Sequence, residues 1–434
     1  MSKDKNMAKG QTLNKKIKIL AYCDSPTCAT GFGTVSRNIL TGLHNTGRYD
    51  INILGINYWG DPHDFPFRVW PTGINSERDP YGRKKVFQQI QQMEFDILFF
   101  LQDTFILDFL PELHNALKNK NKKFRSIVYY PIDGTPKEQW ITNINACDTV
   151  VAYSEFGKQQ SMNMLPTMTE PLVVPHGANT KDYFPVSEED IATFRKQYFG
   201  ALSEKFIFAN VNRNQQRKDI PRTIAAFAEF RKHVPDSILY LHMAKKDQGW
   251  DLPEIVKAHG MSISRDVIFP ENFGPNQGYP RQVLNLVYNA CDCVLSTTLG
   301  EGFGLAWMEA MATKTPVIMP ANTMLPEFIT EDIGWLCKSG NNPSLYTVIP
   351  NDNEVIRPLT DTEDLVKVML EVYNNKAEAK RRAENAYTWI QTKMEWQSCI
   401  VPQWIKLFDK LHESLNSNTV AVAETPSVIK AEEF

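Results

Sequence analysis

The chain has 434 residues, too many for one ordinary hydrophobic core, so two or three domains are expected. Its 42% hydrophobic and 22% charged residues are those of a globular protein. A net charge of −3 gives no global field to draw it to DNA or an anionic membrane. No apolar run has the length of a membrane span, and the N-terminus lacks the apolar stretch of a signal peptide. Seven cysteines, odd in number and mostly within apolar segments, suit reduced thiols better than a disulfide framework, so a cytoplasmic location is expected.

Residues 1–15 read as a polar disordered tail. From there strand-like and helix-like segments alternate: strand Ile17–Tyr22, helix Val35–Leu43, strand Ile51–Ile56, helix Lys84–Met93, strand Ile97–Leu101 and helix Leu107–Leu117. Strands Ser126–Tyr130 and Thr149–Tyr153, a helix from Glu155 and strand Leu172–Val174 complete a first unit, 16–185. A turn-rich segment, 175–185, interrupts the pattern, which restarts after helix Glu188–Tyr198. Strands Phe206–Val211, Ser237–His242, Val267–Phe269, Cys293–Thr297 and Pro316–Met319 then alternate with helices Ile220–Val234, Leu252–Ala258, Val283–Ala290 and Leu305–Ala312. This second unit is placed at 186–395, followed by a helix at 396–415 and a second disordered tail at 416–434. Short apolar strands separated by helices indicate parallel sheets covered on both faces, and hence an α/β fold of two Rossmann-like, doubly wound halves facing a cleft.

In such sheets, ligands bind beyond the carboxyl ends of the strands. The first strand of the first unit runs into a glycine-containing turn, Gly31-Phe32-Gly33. It is not a Gly-x-Gly-x-x-Gly fingerprint, since Ser36 stands at the third glycine position, which argues against a nicotinamide cofactor. Asp103 follows Ile97–Leu101 and is a candidate for the acceptor side of the cleft. Asp133 follows Ser126–Tyr130 and serves either as a turn residue or to position substrate hydroxyls. In the second unit, Arg213, Arg217 and Lys218 follow the first strand, and His242 ends the next, facing a nucleotide or merely hydrogen-bonded in place. Strand Cys293–Thr297 leads through Glu301-Gly302-Phe303-Gly304 into the helix from Leu305, with Glu309 inside it. A strand, a glycine turn and a helix start make an anion site, because the first helical N–H groups lack partners and the helix dipole favours negative charge. Were the whole run helical, Glu301 and Glu309 would stand about 12 Å apart along the axis.

The run Glu301-Gly-Phe-Gly-Leu-Ala-Trp-Met-Glu309, continued by Ala-Met-Ala and Thr315-Pro-Val-Ile, resembles the signature of retaining glycosyltransferases of the GT-B fold, family GT4 (glycosyl transferases group 1). The similarity extends over roughly residues 17–410 and is strongest from 206 to 330. Ser154-Glu-Phe-Gly157 and the segment 174–185 resemble the end of that family's first domain. The resemblance implies that Glu309 holds the ribose of a nucleotide-sugar donor and Glu301 the sugar hydroxyls, with the amides of Gly302 to Leu305 facing the donor. It implies that Arg213 and Lys218 neutralise the donor diphosphate, with Arg217 competing for that role, and that Gly31, Phe32 and Gly33 pack beneath it. The final helix is expected to cross back onto the first unit. Catalysis is expected to retain configuration and to need no metal or cofactor, since no Asp-x-Asp stands at a strand end. The usual donor in the family is UDP-linked, and the acceptor stays open among a glycan, a small metabolite, a protein and, for nucleic acid, hydroxymethylated bases of viral DNA. Two other readings share the fold: a catalytically idle nucleotide-sugar-binding scaffold, and another GT-B chemistry such as sugar-nucleotide epimerisation.

Overall fold

A computed structural model describes residues 16–72, 79–274 and 278–415. The two tails called disordered above, 1–15 and 416–434, lie outside the described residues. The first unit holds seven strands: β1 (Ile17–Asp24), β2 (Tyr49–Ile56), β3 (Arg68–Pro71), β4 (Ile97–Leu101), β5 (Arg125–Tyr130), β6 (Thr149–Ala152) and β7 (Leu172–Val173). They form one parallel sheet in the order β3-β2-β1-β4-β5-β6-β7. The second unit holds β8 (Phe206–Val211), β9 (Ser237–His242), β10 (Val267–Ile268), β11 (Cys293–Leu295), β12 (Val317–Pro320) and β13 (Trp335–Cys337). Its sheet, also parallel, runs β10-β9-β8-β11-β12-β13.

Each sheet is buried on both faces because its strands are apolar at every position rather than at alternate ones. In the first sheet Leu20, Tyr22, Leu98, Phe100, Val128 and Tyr130 pack into one core, while Ile19, Ala21, Ile97, Phe99, Ile127 and Tyr129 pack into another on the opposite face. The latter core continues into the second unit through Ile207, Phe303 and Trp307.

In each sheet the strand order reverses beside its first strand, at β1/β4 and at β8/β11, and the crevice there is the natural ligand position. The expected strands are present within a residue or two. Three elements go beyond them: the edge strand β3, the strand β13, and an antiparallel hairpin of β14 (Tyr346–Val348) and β15 (Ile356–Pro358).

The chain crosses back at its end. Ala178 exchanges backbone hydrogen bonds with Met394 and Trp396, at 2.7 and 3.1 Å. The helix Val401–Ser414 then lies on the first sheet, with Trp404 5.7 Å from Phe99 between ring centroids. Gly42 is required there, because a Cβ would fall 2.5 Å from Val401.

Candidate functional site

The loop after β8 is fastened to the loop after β11. Leu299 donates its N–H to the Arg217 carbonyl at 2.8 Å, and the Thr297 hydroxyl donates to the Asp219 carbonyl, also at 2.8 Å. This lashing turns Lys218 and Arg217 toward Glu301. Lys218 pairs directly with one Glu301 oxygen, and Arg217 lies 3.4 Å from the other. Burial pushes the Glu301 carboxyl up, but Lys218 and Arg217 outweigh it and hold it at about 2. Burial lowers the Lys218 ammonium in turn, against the opposing pull of Glu301.

Glu301 and Glu309 do not share a helix. The helix begins only at Leu305, after Gly304 with φ 82°, so the layout of two carboxylates along one axis is replaced by a loop carboxylate and a helical one. Glu309 is deep in the helix, where it accepts a 2.8 Å hydrogen bond from the Tyr288 hydroxyl; burial raises its pKa. It lines a crevice with Leu305, Asn179, Arg281 and, from the first unit, Thr34. Trp307 on the same helix is core, its indole N–H bonded to the Phe303 carbonyl at 3.0 Å.

Gly31 and Gly33 form the first turn of the helix Gly31–Asn45 rather than a loop before it. The Thr30 hydroxyl accepts from Gly33 N at 2.9 Å and donates to Asp24 at 2.7 Å, so β1 and the helix start are tied together. A Cβ on Gly33 would stand 2.7 Å from the Cys28 carbonyl, whereas Gly31 faces open space. Phe32 is half-buried against the core.

Across the cleft, Asp133 meets two arginines of the second unit: Arg217 at 3.1 Å and Arg357, on β15, at 3.1 Å. Arg357 is fixed by Asp352 at 2.6 and 3.0 Å. The two units touch closely here. A Cβ on Gly302 would lie 2.5 Å from Pro131, so this glycine serves the approach of backbone to backbone across the cleft. Asp103 lies nearby: burial first, then the charge of Asp133, push its carboxyl up to about 7, with Arg217 pulling the other way.

The structure thus brings together Glu301, Lys218, Arg217, Asp133 and Asp103. Arg213 stands apart, half-exposed and paired with Asp247 at 2.7 Å. It leaves β8 on the side facing the loop after β9, whereas Arg217 sits in the turn that folds back over β11. His242 hydrogen-bonds Tyr240 at 2.7 Å and lies about 5 Å, ring to ring, from Phe273 and Tyr279 (5.0 and 5.1 Å); burial lowers it to about 4. Arg357 and Arg281 were not singled out from the sequence. Arg357 lies in a hairpin without apolar periodicity, and only folding carries it more than 200 positions back to Asp133. No group of three or more His, Cys, Asp or Glu side chains among the described residues could hold a metal ion.

Residues 193–389 match the sequence model of the glycosyl transferases group 1. Over 92% of this chain and 100% of the other, the fold superposes on sucrose-phosphate synthase from Thermosynechococcus elongatus with a TM-score of 0.69 at 17% identity. Anabaena Alr3699/HepE in complex with UDP-glucose gives a TM-score of 0.67 at 16% identity, over 91% of this chain and 99% of the other. The chain has the GT-B fold along its length and resembles the glycosyl transferases group 1 over its second unit. Among curated relatives, a D-inositol 3-phosphate glycosyltransferase of Corynebacterium aurimucosum is 32% identical over 172 residues, 39% of this chain and 39% of that protein. The chain therefore spans less than half the length of the curated relatives it matches first, 44% and 39% of them. In this chain the family match falls on the unit that carries Lys218, Glu301 and Glu309, while the first unit's strand ends lie outside it.

Proposed function

We propose that this protein transfers a sugar from a nucleotide-linked donor to a hydroxyl acceptor held in the cleft, with retention of configuration. The observation that carries the reading is the buried Lys218–Glu301–Arg217 cluster beside the start of the Leu305 helix, at the reversal point of the second sheet. The diphosphate would take Lys218 and the helix amides as partners, and Glu301, displaced from its lysine, would take the sugar hydroxyls. Glu309 would hold the ribose in the crevice with Thr34 and Arg281. UDP is the favoured nucleotide, a reading supported by the UDP-glucose named with Alr3699/HepE.

In this reaction the bond between the anomeric carbon and the phosphate oxygen breaks while the acceptor oxygen attacks from the same face. The acceptor's proton goes to the departing diphosphate, so no side-chain nucleophile is needed. Charge develops on the leaving diphosphate, and fixed cations in a dry site stabilise it. Lys218, Arg217 and the helix amides do this in place of a divalent metal. The mostly buried thiols suit a reducing cytoplasm.

A panel of UDP-, GDP- and ADP-sugars tests the reading by thermal stabilisation, followed by donor hydrolysis without acceptor and NMR of the product anomer. At least one donor should stabilise the fold and be slowly hydrolysed. Stabilisation without any turnover would favour the idle scaffold, and no stabilisation at all would sink the reading.

A further inference from the structure

The first unit's half of the cleft has a chemistry of its own. Asp24, Asp103, Asp133 and Tyr153 follow or end β1, β4, β5 and β6, four neighbouring parallel strands. The register places Cys23 beside Leu101, Leu101 beside Tyr129, and Tyr130 beside Ala152, so all four side chains emerge at one end of the sheet. Two of these carboxylates already have partners. Asp24 accepts from Thr30 and from Gln102, at 2.7 and 3.2 Å, and Asp133 meets Arg217 and Arg357. The Asp103 carboxylate accepts no hydrogen bond from the described residues; only its backbone is engaged, the N–H donating to Gln102 and the carbonyl accepting from Ile106. The Tyr153 hydroxyl is buried without a hydrogen-bond partner among the described residues, on a residue 4% exposed. Asp103 and Asp24 both lie near enough to add to the rise that burial imposes on its pKa.

A buried, unused donor thus lies at the same sheet end as Asp103 and within its electrostatic reach. Leaving a buried hydroxyl unpaired costs free energy, so a group that bonds it is favoured. An alcohol matches the pair, because its hydroxyl donates to a carboxylate and accepts from a phenol. A phosphate brings acceptors and negative charge, which Asp24, and Asp103 in its ionised form, oppose.

We propose that Asp103 and Tyr153 form the subsite for the acceptor, and that the acceptor is an uncharged sugar or polyol rather than a phosphorylated one. This rests on the transferase reading above and deepens it. It also separates the chain from the D-inositol 3-phosphate named in the Corynebacterium relative.

The test uses the full chain with whichever nucleotide sugar stabilises it. Nucleotide release is followed with methyl α-D-glucoside and myo-inositol, against glucose 6-phosphate and myo-inositol 1-phosphate. The neutral members should stimulate release at least about tenfold more in kcat/KM than their phosphorylated counterparts, the size of one charge-assisted hydrogen bond gained or lost. Tyr153→Phe should raise the acceptor KM by about 3–10-fold and leave the donor's thermal stabilisation as in the wild type. Asp103→Asn, which keeps the shape and removes the charge, should narrow the preference for neutral acceptors. Stimulation by phosphorylated acceptors alone, or by none, overturns the proposal, as does a wild-type acceptor KM in Tyr153→Phe. A chain that no nucleotide sugar stabilises sinks the transferase reading, and this proposal with it.

Discussion

Two carboxylates, one from each unit, titrate in opposite directions. Glu301, in the second unit, is held at about 2, and Asp103, in the first, is pushed up to about 7. Both are penalised by burial. The difference lies in what each unit supplies: Glu301 has Lys218 and Arg217 from its own unit, whereas Asp103 has two neighbouring carboxylates and only the reach of Arg217 from across the gap. The cations of the site thus come from the second unit, which lends Arg217 and Arg357 to Asp133 as well. On the proposed reading, the second half of the cleft takes an anion in place of Glu301, and the first takes a neutral group.

The strongest way to break this contrast is to remove the second unit's charge. Lys218→Ala should lower transfer by about 10²–10³-fold, the range seen when one preorganised donor to a developing oxyanion is lost. Arg217 still faces Glu301, so the fold should survive, which circular dichroism checks. Wild-type turnover in this variant would dissolve the assignment of the anion half. Next comes the fit of the halves to each other. Gly302→Ala would set a methyl group 2.5 Å from Pro131 and push the two units apart. A misplacement on the order of 1 Å between reacting groups costs about 10²-fold, and that is the loss expected in kcat, with nucleotide stabilisation retained. Unchanged turnover would mean the units do not work at this separation.

The second unit was far more legible in the sequence than the first. Its strand, glycine turn and helix leave a contiguous trace from Cys293 to Glu309, and local physics ties each part to a role. The parallel sheets were visible for a related reason, since strands buried on both faces are apolar without interruption. What escaped was whatever depends on contacts distant in sequence. Tyr153 reads as the last residue of a strand, and nothing local says that its hydroxyl will be left unpaired beside Asp103. Arg357 sits in a hairpin whose outward residues, Val348 and Ile356, break the usual apolar-in pattern. Strands β3 and β13 are only four and three residues long, so only their neighbours reveal them. The choice between Arg213 and Arg217 is of the same kind: spacing favours the former, and the lashing of the β8 loop to the β11 loop favours the latter.

That choice can be sharpened by a smaller effect. Asp247 is buried, its side chain 5% exposed, and Arg213 is its ion-pair partner. For Arg213 to reach a diphosphate, Asp247 would be left buried and unpaired, which opposes the movement. Arg213→Ala is therefore expected to lower kcat/KM for the donor by about tenfold, well short of Lys218→Ala, and Arg217→Ala should fall between them. An Arg213→Ala loss equal to that of Lys218→Ala would show that the arginine leaves Asp247 when the donor binds.

The smallest effect concerns stability rather than rate, and it reads the contrast between the halves directly. Asp103, at about 7, keeps a proton in the folded state that the unfolded chain, near 3.8, has already released. Its contribution to stability is thus present at low pH and lost as the pH rises from about 4 to 7. Glu327, half-buried while it caps the helix start at Glu155, is also pushed up to about 7 by that burial and adds a slope of the same sign. Glu301 works the other way: its stabilisation is complete above about 4.5 and is lost only as the pH falls toward 2. Asparagine mimics the protonated Asp103, so Asp103→Asn should raise Tm at pH 8 by roughly 2 °C and at pH 5 by less than half as much. Thermal melts of the two proteins across pH 5 to 8 would show their curves converging at the acid end. Parallel curves would mean that Asp103 stays ionised in the fold, and that the first half of the cleft carries more negative charge than its hydrogen bonding can satisfy.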